Sequence, residues 1–512
     1  MSRRFLVYPP NVRWPFLLIV WLCSAVYLCW WVGANPLPDG FQNEYLLVGN
    51  AMDLWGALTA GDLWHMRWYM YTGYWPWGLY AVPWPFMAVL GPTHLALVLG
   101  NLIHLGVLLA ATNSLGRALG GRWAALLVVL CPGVFGPLVR FEPNLAATAW
   151  TAAGLAALVA SNGLSRKKMV WLYGACLGLG LMMDRLSVAF FLVPALIPLL
   201  LKAGQRGWIH LTQAAGITLI LSGAFYKEFF ERHSHEVLSQ AGTGEIDSAG
   251  VLTETPAVLE WAYYPLSLLD SQAGPVLGLV MLIAIVGRYS QTRAILWASI
   301  AGGVAVFTFI SKNQVFYTLP ILAPLAAMCA AKPRLAMIGL VGGLWSFTAV
   351  GLGWVPGGPW MSEDWVSPRH TLARPPLPLD VDLEPALDAL ATADGSAPTH
   401  VAVLSEDHRL FEGFLLLKIR ERWSNTPARG IVTDPHGTFE MFHEIDALMW
   451  VGPTASTWPT AEAIEREMRS DHTDPSTMPP APRVVAAGGE AFREVGRWTA
   501  SDSRELVVFR RR

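Results

Sequence analysis

The sequence predicts an α-helical polytopic membrane protein of about eleven spans, followed by a C-terminal external α/β domain. Three observations predict it. The 512 residues are 53% hydrophobic and only 14% charged, with a mean hydropathy of +0.39, and the apolar residues come in long blocks; a soluble domain carries about 25% charge. Basic residues recur in alternate loops that hold no acid. After about residue 400 the pattern changes to short apolar strands and amphipathic stretches.

The candidate spans are roughly 14–34, 94–113, 123–139, 144–160, 170–183, 186–201, 208–225, 264–286, 294–310, 315–331 and 335–354. Most lie near the ~20 residues that cross a bilayer, and the fifth is short. The first, after Arg3, Arg4 and Arg13, is long and is not followed by a small-residue cleavage site, so it reads as an uncleaved helix. Arg117 and Arg122, Arg166 to Lys168, Lys202 and Arg206, Arg288 and Arg293, and Lys332 and Arg334 occupy every second loop. The positive-inside bias makes that side cytoplasmic, with the N-terminus. The acids before residue 355 fall at the opposite face, among them Asp39, Glu44, Asp53, Asp62, Glu142, Asp184 and Asp270. An odd number of spans puts the C-terminus outside as well.

Residues 1–354 therefore form a membrane domain that includes a long external loop, 35–93. A Pro/Gly-rich linker, 355–399, carries VPGGPW and RPPLPLD. Residues 400–512 read as a soluble α/β domain: HVAVLS, GIVT, DALMWVG and ELVVFR as strands, EDHRLFEGFLLLKIRERW and AEAIEREMRS as helices. It has no GxGxxG, no P-loop and no nucleophile elbow, which favours an accessory or lid role. All five cysteines lie in apolar spans, and no Cys/His metal spacing occurs. Glu231, His233 and His235 form a weak metal pattern in the loop 226–262, because H-x-H suits a strand and this stretch reads as a helix end. No nucleic-acid partner is expected, whereas membrane lipids are.

The first external loop concentrates the chemistry. Asp39, Glu44, Asp53, Asp62, His65 and Arg67 are followed by Trp64, Trp68, Tyr69, Tyr71, Tyr74, Trp75, Trp77 and Tyr80, interleaved or just behind. Aromatics this dense belong at a membrane–water interface, where a ring buries its body and keeps its polar atom wet. Carboxylates beside such a belt suit a substrate that is half lipid. Three motifs elsewhere set a cation at the outer edge: RFEPN with Arg140, MMDRLS with Arg185, and SKNQVFYTLP with Lys312. Cations there run against the positive-inside bias, and a phosphate headgroup is one reason for them. Local pairing, Arg140 with Glu142 and Arg185 with Asp184, is the alternative.

Residues 14–354 resemble the GT-C superfamily of membrane glycosyltransferases, which includes protein O-mannosyltransferases and aminoarabinose transferases. The resemblance is carried by layout and by four pieces of text. Asn43-Glu44-Tyr45 is similar to the acidic pair and Tyr that open the family's first loop. Tyr74-Trp75-Pro76 is similar to its aromatic-proline motif. Arg140, Glu142 and Asn144 stand where a basic and an acidic residue follow the third span. Lys312 with Tyr317-Thr318-Leu319-Pro320 is similar to a late Lys and Tyr-x-Leu-Pro run, the most specific match.

The resemblance implies transfer of a sugar from a polyprenyl-phosphate-linked donor to a lipid, glycan or protein acceptor, in the cytoplasmic (inner) membrane of a bacterium. It implies a carboxylate base, Glu44 or Asp39, since Asn43 occupies the usual base position. It further implies Arg140, Arg185 and Lys312 as phosphate partners and Glu142 and Tyr317 as orienting groups, with His65 and Arg67 as weaker candidates. Cofactor and metal requirements stay open. A transporter or flippase predicts charges at mid-membrane and inverted repeats; the charges here lie at edges. Asn43 keeps a non-catalytic scaffold in view.

Overall fold

The computed structural model describes residues 14–35, 44–72, 75–200, 203–243, 257–309, 316–356, 373–376, 382–391, 401–405, 415, 418–419, 421–423, 428–430, 446–453, 492–501 and 504–512. Six helices among them are long and apolar enough to cross a membrane: Trp14–Ala34, His94–Ala118, Pro143–Ala160, Gln205–Glu231, Gln291–Phe309 and Pro333–Gly351. Trp14–Ala34 shows why. It carries no charge, and its 21 residues span about 31 Å at ~1.5 Å per residue. Leu17, Val20, Ser24, Leu28 and Trp31 are buried at helical spacing, while Leu18, Ile19, Leu22 and Val26 face outward, as expected of a helix with one side on lipid.

Several expected spans are broken rather than continuous. The third divides at Cys131 into Ala124–Val129 and Pro132–Leu138. The sixth is interrupted at Pro194 within Ser187–Leu200. The eighth is Ala257–Ser267, one π-helical turn Leu268–Gln272, and then Pro275–Ile285. In each case a proline lacks the N–H that the preceding turn needs. At the last break Gly274 adopts φ 79°, which a residue with a side chain rarely does. The seventh is longer than expected: the helix runs Gln205–Thr243.

Small residues let the helices pack closely. A Cβ on Gly174 would sit 2.4 Å from Ala214 O, so the helices Lys167–Met183 and Gln205–Thr243 touch backbone to backbone. The loops sort to two ends. At one end Lys332 Nζ donates to Ile283 O at 3.2 Å, Gly121 abuts the Ala330 main chain, and His210 Nδ1 lies 2.9 Å from Leu164 O. This gathers the basic loops. At the other end Glu44 meets Phe141, Arg185 meets Trp75, and Gln272 Nε2 donates to Thr318 Oγ1 at 2.8 Å.

The C-terminal strands are β1 (Val401–Ser405), β2 (Ala428–Gly430), β3 (Ala447–Pro453), β4 (Phe492–Ser501) and β5 (Arg504–Arg511). The sheet order is β2-β1-β3-β5-β4. β1 runs parallel to β2 and β3, with Val401 opposite Ala428 and Ala447, and β5 runs antiparallel to β3 and β4. Val401, Val403, Met449, Val451, Leu506 and Val508 pack against Ala386, Leu387 and Leu390 of the helix Glu384–Leu390, and against Leu415 and Ile419. Three strands, β1, β3 and β5, match the sequence pattern; the expected strand GIVT shares only Gly430 with β2, and its other residues lie outside the described ones. β4 was not expected, because Arg493, Glu494 and Arg497 give an edge strand with exposed or half-buried residues and no apolar run. The second expected helix, AEAIEREMRS, lies outside the described residues.

A candidate active site at the acidic end of the bundle

Glu44 is the first residue of the helix Glu44–Thr59, and it is 1% exposed. Its Oε1 accepts the Phe141 main-chain N–H at 2.7 Å and lies 3.1 Å from His94 Nε2. A neutral imidazole that donates from Nε2 satisfies that geometry, and so does an imidazolium. The Oε2 atom is equally buried and has no hydrogen-bond partner among the described residues. One oxygen is therefore anchored from two directions, and the other is left as an acceptor.

The Arg140–Glu142 corner supplies one of those anchors. The helix Pro132–Leu138 stops just before it, and Pro143 starts the next helix with its fixed φ. The Asn101 amide holds the corner by donating to the carbonyls of Pro137 (3.2 Å), Leu138 (3.1 Å) and Arg140 (2.6 Å). Arg140 is 2% exposed and lies within electrostatic range of Tyr27. Glu142 accepts from Asn144 Nδ2 at 2.8 Å. Both side chains are buried, two residues apart on this corner.

Arg185 follows the end of the helix Lys167–Met183. Its guanidinium lies 3.9 Å from the centre of the Trp75 ring and within electrostatic range of Tyr80 and Tyr226. The Ser187 hydroxyl donates to the Asp184 carboxylate beside it. Tyr80 in turn accepts from Asn50 Nδ2 at 3.3 Å, which ties the aromatic stretch back to the Glu44–Thr59 helix. Stacking on tryptophan engages the face of the guanidinium rather than its N–H edge.

The remaining candidates are distributed unevenly. Tyr317 stacks on Phe307, ring centres 4.9 Å apart and 6° from parallel. His65 and Arg67 are exposed on the short helix Leu63–Thr72, unlike the buried Glu44, Arg140 and Glu142. His65 Nδ1 instead lies 2.5 Å from Asp62 Oδ2, and the hydrogen bonds from His65 hold the Asp62 carboxyl below its usual range. Asp39, Asn43 and Lys312 lie outside the described residues, as do the side chains of His233 and His235. Among the described residues, no group of three His, Cys, Asp or Glu side chains is arranged to hold a metal.

Sequence reasoning missed His94 and Asn101, and took Asp270 only as one of the acids at the outer face, not as a buried group. His94 looked like the ordinary start of a span, with Thr93 as its cap, and the Thr93 side chain does accept from Ala96 N at 3.2 Å. Asp270 lies on the π-helical turn Leu268–Gln272. The Gly274-Pro275 pair was the signal for a break there, and π-helical turns cluster at functional positions.

No family model and no curated protein matches this chain. Solved structures do. ArnT from Cupriavidus metallidurans in the apo state superimposes with a TM-score of 0.53 at 11% identity, covering 96% of this chain and 98% of that one. The same protein bound to undecaprenyl phosphate gives 0.51 at 10% identity, with 97% and 98% covered. The fold is thus shared with ArnT along nearly the whole chain.

Proposed function

We propose that this protein is a membrane glycosyltransferase that moves a sugar from a polyprenyl-phosphate-linked donor to a lipid, glycan or protein acceptor at the external membrane face. The observation that carries the reading is the half-anchored Glu44 carboxylate, in a fold shared with a protein whose structure holds undecaprenyl phosphate.

The chemistry follows from the residues. The acceptor hydroxyl oxygen attacks the anomeric carbon, and its proton passes to Glu44 Oε2. The bond from that carbon to the phosphate oxygen breaks, and the lipid phosphate leaves with the electron pair. Charge grows on the leaving phosphate, where Arg185, Arg140 and Lys312 stabilise it. Glu142 and Tyr317 orient the groups around it. Asp39, five positions before Glu44, is the second candidate for the base.

All eleven apolar stretches are taken to cross the membrane, the broken ones included. The hydrogen bonds that gather basic loops at one end and acidic corners at the other support this count. The basic end is cytoplasmic by the positive-inside bias, so residues 355–512, with their α/β domain, lie outside.

The test is transfer itself. The purified protein in proteoliposomes is offered undecaprenyl-phosphate-linked sugars, and release of undecaprenyl phosphate is followed. Consumption of a donor that stops in Glu44→Gln supports the reading. Failure to bind undecaprenyl phosphate or to consume any such donor, with the protein folded, removes it.

A further inference from the structure

Two carboxylates from distant parts of the chain meet at His94. Glu44 Oε1 lies 3.1 Å from the His94 imidazole Nε2. Glu421 Oε1 accepts the His94 main-chain N–H at 3.0 Å. Glu421 belongs to the region after residue 400, 327 positions further on, and its second oxygen accepts from Lys418 Nζ at 2.7 Å. The contact is partly buried, and the His94 side chain is 6% exposed.

The position of this meeting matters. His94 is the first residue of the membrane helix His94–Ala118, where free N–H groups and the helix dipole favour an anion. Glu421 occupies that place in trans, from the α/β domain. With its backbone held, the His94 ring has fewer directions to take, and Nε2 is aimed at Glu44. The same Glu44 oxygen also takes the Phe141 N–H, so the rotation that remains to the carboxylate is small.

We propose that His94 is a positioning residue for the Glu44 base and that Glu421 makes the C-terminal domain part of the same device. The domain then does more than cover the site: it fixes the direction in which Glu44 presents its unpartnered Oε2. This inference rests on the proposed glycosyltransferase function for its catalytic consequence, but its structural part does not.

The experiment uses the full-length protein in proteoliposomes and has two readouts. In Glu421→Ala, kcat falls on the order of 100-fold, the cost of a misplaced catalytic group, while undecaprenyl phosphate binds as in wild type. Glu421→Gln keeps an oxygen to accept the His94 N–H and stays within about threefold of wild type, the result expected if the acceptor rather than the charge matters. Glu421→Ala/His94→Ala is no slower than His94→Ala alone, because both act through one chain of hydrogen bonds. Hydrogen exchange gives the second readout: amides of residues 44–50 exchange about tenfold faster in Glu421→Ala, while those of β1 and β3 keep their protection.

Unchanged exchange at residues 44–50 overturns the proposal, as does a Glu421→Ala rate equal to wild type or an additive double variant. If the exchange rises but wild type transfers no sugar, the positioning contact stands and the transferase reading fails.

Discussion

Glu44 and Phe141, 97 positions apart, are joined by a 2.7 Å hydrogen bond from main-chain N–H to buried carboxylate. The bond ties the first external loop to the corner after the third span. It satisfies a donor that the Arg140–Glu142 turn leaves outside any helix, and it fixes the carboxylate in the same stroke. The direction of the Glu44 carboxylate therefore depends on that corner keeping its shape.

Glu44→Gln should abolish sugar transfer and leave donor binding intact. A positioned base contributes ~100- to 10,000-fold in rate, and the amide keeps the shape without accepting the proton. Asp39→Asn should be the milder change. Single-turnover rates alongside undecaprenyl phosphate binding check both; full turnover in Glu44→Gln with a dead Asp39→Asn reassigns the base to Asp39.

Arg185→Ala should weaken binding of undecaprenyl phosphate by about 1.5–3 kcal/mol, roughly 10- to 150-fold. Lys312→Ala should do the same. Arg185→Lys should recover only part of the loss, since an ammonium neither stacks on Trp75 nor offers a planar fork. Titration of folded variants with the lipid measures this, and wild-type affinity in both alanine variants removes them as phosphate partners.

Gly174→Val should destabilise the membrane domain without touching the site. The added atoms run into the Ala214 carbonyl, 2.4 Å from the Cβ position, and backbone cannot move aside as a side chain end can. Overpacking of this kind costs typically ~1–3 kcal/mol. A lower thermal midpoint in detergent is expected, against an unchanged midpoint for Gly216→Val, where the Cβ meets open space.

The Asp62–His65 pair should contribute little, and in one direction of pH. His65 holds the Asp62 carboxyl below its usual range, so its stabilisation is present above the unfolded carboxylate pKa and fades as pH falls through the lower folded value. The pair is exposed, so solvent and salt screen it. His65→Ala should leave transfer unchanged, and a substantial loss would return His65 to the substrate site.

Cysteines placed at Ser165 and Gln291 should resist labelling from outside intact cells, and one at Thr457 should label. Ser165 and Gln291 belong to the basic end, where Gly163 lies close to the Gln291 amide. The reverse pattern inverts the topology.

Length, blocks of apolar residues and the alternation of basic and acidic loops were enough, in the sequence, for the membrane class and the limits of most helices. Those are local properties: a charge-free run of about 20 residues has one low-energy environment, whatever it packs against. The strands around Val401, Met449 and Val507 were legible for the same reason, as short apolar runs. Glu44 could be named from its place in the loop, but not how its two oxygens differ. That difference is made by Phe141 and His94, and His94 is held in turn by Glu421 from the other end of the chain. Periodicity carries no record of such meetings, because hydrogen bonds between distant segments leave composition and spacing unchanged. The sequence pointed to carboxylates and cations at the ends of apolar spans; only the tertiary structure decided which Glu44 oxygen is anchored and which has no partner among the described residues.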